Sequence, residues 1–205
     1  MSKQVVGWKG SPAYWEKLAE IYSARFELDR NSYYYIPLAD ALASMGKVDE
    51  AIEALELGVA LTTPRRAALV LLAQLYYDKG DKDKARRILI PLVERWPDVC
   101  AGVALLCKLH EQEGKYIEAD NLARQLVHYY PDSRYVHSLV ERYDRLAREA
   151  VIRQAVAHDE KQRAHHAHGG ARRGGTRRAP DGRQAQLFAL ESMLSNIGKL
   201  RSGED

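Results

Sequence analysis

The 205-residue chain contains only two cysteines, two phenylalanines and three methionines, and no apolar run approaches the ~20 residues that cross a bilayer. Two cysteines cannot build a disulfide framework. On one helix, Cys100 and Cys107 would have Cα atoms roughly 10 Å apart at 1.5 Å rise per residue, too far for a bridge. Both are expected as small buried apolar residues of a reducing compartment. The N-terminus, MSKQVVGWKG, lacks the apolar stretch of a secretory signal, so the expected location is cytoplasmic. Catalytic signatures are missing too: there is no G-x-x-x-x-G-K-[ST], H-E-x-x-H or G-x-S-x-G, and no Cys/His spacing of a zinc site. GGARRGG, at 169–175, has no strand before it or helix after it to make a phosphate cradle. The expectation is a non-enzyme with no cofactor, no metal and no small-molecule substrate.

Charge is present but unevenly spread. Residues 161–183 hold seven basic residues against Asp181, a net +6, which leaves −3 for the rest of a +3 chain. A mildly acidic body therefore carries a basic segment.

Periodicity is the strongest signal. Gly46, Gly80 and Gly114 stand 34 residues apart, as do Ala51, Ala85 and Ala119; Pro97 and Pro131 keep the interval and Pro64 is one residue late. Upstream of each glycine an apolar stripe recurs at helical spacing: Tyr35, Leu38, Ala39, Leu42; Leu69, Leu72, Ala73, Tyr76; Val103, Leu106, Cys107, His110. The physical reading is helix, turn, helix, stop. Glycine frees the backbone at the turn, small residues let paired helices approach, and proline ends the second helix.

This pattern over residues 32–131 resembles the tetratricopeptide repeat. It departs mildly at Gly58, late in a second helix, and at His110, in place of an aromatic. The resemblance implies an all-α fold, a right-handed α-solenoid of antiparallel helix pairs with repeats at 32–65, 66–99 and 100–133. Ser11-Pro12 reads as a cap and first turn, opening an N-terminal capping helix over 12–28 with Trp15, Leu18, Ala19, Tyr22 and Phe26 on one stripe. After the third repeat, Ala147 replaces the turn glycine, so a single C-terminal capping helix is expected over 134–157, completing a domain at 11–157. Residues 1–10 are expected to be disordered, and 158–183, without large apolar residues, to form a flexible Arg/His/Gly linker. Beyond it, Leu187, Phe188, Leu190, Leu194 and Ile197 predict a short amphipathic helix over 184–200.

Such solenoids bind on the concave face formed by the first helix of each pair. Helical phase and the family's groove positions together point to Tyr33, Ile36, Asp40 and Ala43, then Ala67, Val70, Gln74, Tyr77 and Asp78, then Ala101, Ala104, Lys108, Glu111 and Gln112. Chaperone-binding members of the family clamp a peptide carboxylate with lysine, arginine and asparagine at the matching positions. Here those positions are Ile36, Val70, Ala104 and Asp40, Gln74, Lys108, so the clamp is missing. An apolar floor with polar orienters suits an amphipathic helix of another protein, for which the tail helix is a candidate internal competitor at millimolar effective concentration. The favoured reading is a protein-interaction adaptor that recruits partners through the groove, the tail helix or both, its layout similar to bacterial scaffold proteins that serve larger assemblies. The alternative is a nucleic-acid or anionic-surface tether acting through 161–183, which the absence of interleaved aromatics disfavours.

Overall fold

The computed structural model describes residues 11–169, with side chains as far as Arg163. They form eight α-helices: α1 (Pro12–Leu28), α2 (Tyr35–Ser44), α3 (Val48–Leu61), α4 (Arg66–Lys79), α5 (Lys82–Arg95), α6 (Cys100–Gln112), α7 (Tyr116–Tyr129) and α8 (Arg134–Gly169). Two compact units divide within α8: one ends at Leu139, and the other begins at Val140.

Local chemistry sets the helix ends. Ser11 caps α1, its hydroxyl accepting from the Tyr14 N–H at 3.3 Å, with proline in the first turn. Gly80 closes α4 at φ 90°, where a residue with a Cβ is strained, and Gly46 and Gly114 do the same at φ 78° and 74°. Around each turn the same two bonds form. The Gly80 N–H donates to the Tyr77 carbonyl at 3.0 Å and the Asp81 N–H to the Tyr76 carbonyl at 2.8 Å. Gly46/Lys47 and Gly114/Lys115 repeat the pair at 2.9 to 3.0 Å. This is the Schellman arrangement, which satisfies two carbonyls at the helix end, and the Asp81 carboxylate then caps α5 through the Lys84 N–H.

The first unit is a two-layer stack. α2, α4 and α6 form one layer, each packed on its own second helix, α3, α5 or α7, while α1 packs on α2. The small residues mark the seams: Ala39, Ala73 and Cys107 on first helices, and Ala51, Ala85 and Ala119 on second helices, are all 0% exposed. Cys107 Sγ lies 3.4 Å from the Ala119 carbonyl, which shows how close the third pair comes. Leu38, Leu72 and Leu106 are buried beside them, each contributing about 1.5–3 kcal/mol on full burial.

Two positions depart from simple repetition. Gly58 is buried in α3, where an added Cβ would overlap the ring of Tyr35. The Tyr35 hydroxyl lies 3.2 Å from Thr62 Oγ1, which donates to the Gly58 carbonyl at 2.8 Å. An aromatic on the first helix of this repeat is thus accommodated by a missing side chain on the second.

α8 runs to Gly169, so residues 158–169, expected as the start of a linker, are helical instead. Loss of large apolar residues removes a reason to pack but leaves helix propensity intact. Half of the segment is Ala, Glu, Lys, Gln or Arg, good helix formers, and Arg163 pairs with Asp159 one turn away at 2.9 Å, as Arg148 does with Asp144 at 2.7 Å. The expected disorder at 1–10, the rest of the linker, and the tail helix with Leu187, Phe188, Leu190, Leu194 and Ile197 lie outside the described residues.

Candidate interaction groove

α2 packs against α4 and α4 against α6, whereas the second helices pack on one another little or not at all. A row of helix pairs in contact along one layer and splayed along the other bends toward the contacting layer. The first helices therefore line the inside of the curve, and the predicted site residues fall on them or at their starts.

Ile36 and Val70 are half-buried and Ala104 is buried at 6% exposure. Asp40 and Lys108, one turn further along their helices, are exposed, and Gln74 between them is half-buried. Gln74 donates to Asp78 at 2.8 Å within α4. Tyr77 accepts from the Gln112 amide at 2.6 Å, which ties the end of α4 to the end of α6. Ala67 and Ala101 are exposed in the first turns of their helices, where small side chains leave backbone accessible. Tyr33, in the turn before α2, is 37% exposed, with the Arg65 guanidinium 3.6 Å from its ring centre, a cation–π contact between the turn before α2 and the residue that precedes α4. Half-buried Ala43 lies further along α2.

Arg65 and Gly102 were absent from the sequence-predicted set. Gly102 is buried in α6, where an added Cβ would stand 3.1 Å from Leu92, 3.3 Å from Val99 and 3.7 Å from Val70. Its absence of side chain lets α6 settle against α4 and α5. Its signal was available, because a glycine inside a helical stretch and off the 34-residue register marks a close backbone approach.

Titratable groups near these seams are shifted by burial. The Cys107 thiol is pushed up to about 12, chiefly by desolvation and then by the Asp120 carboxylate; Cys100 is raised for the same first reason. Both thiols are free. Tyr76, buried and bonded through its hydroxyl to Glu56, is raised to about 12. His110 is lowered by desolvation. Of the basic segment, Lys161 and Arg163 are exposed and described, with Arg163 paired to Asp159. Among the described residues no helix is long and apolar enough to cross a membrane.

Stacked antiparallel helix pairs with an identical glycine turn every 34 residues define an α-solenoid of helix-hairpin repeats. A family model described as tetratricopeptide repeat matches residues 67–98, the second pair. The solved structure titled "Crystal structure of MamA" aligns with a TM-score of 0.57 at 17% identity, over 80% of this chain and 99% of that one. No curated protein matches the sequence. Residues 67–98 thus match the tetratricopeptide repeat, and the described helices share a helical repeat fold with MamA.

Proposed function

We propose that this protein is a non-catalytic cytoplasmic adaptor that holds an amphipathic helix of a partner protein in the groove of its first helices. The observation that carries the reading is one layer with two kinds of row. Half-buried Ile36 and Val70 offer an apolar floor, and Asp40, Gln74 and Lys108 follow as polar positions one turn on. An incoming helix buries its stripe on the first row and is oriented by the second. The tail segment 184–200 is either a second recruiting element or a competitor for the same groove.

A pull-down with full-length baits tests this. The comparison is between the native sequence, Ile36→Glu with Val70→Glu, and Leu190→Asp with Leu194→Asp. Loss of partners with the first pair, and retention or enrichment with the second, is the expected result. Retention with the groove pair and loss with the tail pair would move recruitment to the tail.

A further inference from the structure

A second recess lies away from the concave face, in the first unit, between α1 and α3. Both helices pack on α2 far more than on each other, leaving an open trench of about 520 Å³, within the ~300–1,000 Å³ range of binding pockets. Its lining includes Phe26 from α1, Leu38 and Leu42 from α2, and Ala54 and Leu57 from α3. Leu57 is 39% exposed, a large apolar side chain left at the surface.

The rim is acidic on both walls. Glu20 and Glu27 stand seven residues apart on one face of α1, and Glu50 and Glu53 three apart on α3, with Arg30 the one basic residue lining the trench. Glu50 pairs with Lys47 at 3.3 Å, while Glu20, Glu27 and Glu53 make no ion pair among the described residues. Carboxylates held together without counter-charges repel one another, and a cationic ligand relieves that repulsion.

We propose that this trench is a docking site for a basic amphipathic helix of a partner protein. Apolar side chains of that helix fill the floor, and lysines or arginines on its two flanks meet the glutamates of α1 and α3. A helix is favoured over an extended peptide because the trench is walled by helices whose backbone groups are already bonded, offering no edge to pair with. A ligand that buries there must satisfy its own backbone. The site is separate from the concave groove and does not depend on the function proposed for it.

The test uses the full chain and a fluorescein-labelled synthetic helix of about 18 residues, long enough to hold helical structure, with a leucine stripe flanked by lysines. A control helix carries glutamates in place of the lysines. Fluorescence anisotropy should show binding of the lysine helix alone. The exposed double variant Glu20→Lys with Glu53→Lys should weaken it by about tenfold, from the loss and reversal of two surface ion pairs, and should gain binding of the glutamate helix. The exposed Glu94→Lys on α5, outside the trench, should leave both affinities unchanged. Equal binding by the Glu20→Lys with Glu53→Lys variant, or an equal loss with Glu94→Lys, would overturn the assignment, the latter by reducing it to net charge. Tighter binding after deletion of 1–10 or of 184–205 would also overturn it, making a segment of this chain the occupant.

Discussion

The five glycines between residues 46 and 114 fall into two groups that do opposite work. Gly46, Gly80 and Gly114 sit in open turns with positive φ and nothing within 4 Å of where a Cβ would lie. Gly58 and Gly102 are ordinary helical residues: at Gly58 a Cβ would overlap the Tyr35 ring, and at Gly102 it would press on Leu92 and Val99 at 3.1 and 3.3 Å. The first group is needed for its backbone, the second for its missing side chain. Repetition follows from the first group, whereas the way the stack closes at particular places follows from the second.

The sharpest way to break this comparison is Gly58→Val. The ring of Tyr35 must leave its seat and its contact with Thr62, so unfolding free energy should fall by about 2–4 kcal/mol from overpacking and a lost hydrogen bond, read by urea denaturation. Gly80→Ala tests the other group. Space is available there and only the left-handed backbone is strained, so the expected loss is about 1 kcal/mol; a loss as large as at Gly58 would erase the distinction. The smallest effect concerns a seam filled imperfectly. His110 occupies the place that Tyr76 holds one repeat earlier, and burial lowers its pKa below the ordinary 6.5. The folded state therefore favours the neutral ring. Its contribution is complete above the unfolded pKa and declines as pH falls through and below that range, because the unfolded chain binds the proton more readily. Thermal melts at descending pH should show this sag, and His110→Tyr should reduce it.

How much of this was legible before the structure depends on the physics at each residue. The 34-residue spacing of glycines and alanines carried the helix pairs, since a turn and a tight seam each restrict residue type on their own. Ser11-Pro12 likewise marked the start of α1. The end of α8 was not legible from the same signals: apolar content reports packing, and an unpacked helix can continue on propensity and ion pairs alone. The concave positions could be placed on their helices by phase, but not their neighbours. The Tyr77–Gln112 bond joins residues that are neighbours only after the repeats stack, and the Arg65–Tyr33 contact joins the two ends of the first repeat only once its helices have paired. The α1–α3 trench was invisible for the same reason. It exists because two helices distant in sequence share one support and pack on it rather than on each other.

Cys107 supplies a gauge that the protein carries already. Its sulfur is sealed in the seam of the third pair and its thiol is held protonated to about 12, while Cys100, at the start of the same helix, is partly exposed. Only a thiolate readily attacks an alkylating reagent, so Cys107 becomes reactive when that seam opens. The lag between labelling of the two sulfurs is then a clock for local unfolding of the third repeat, and a bound partner that clamps the stack would slow it without touching either cysteine.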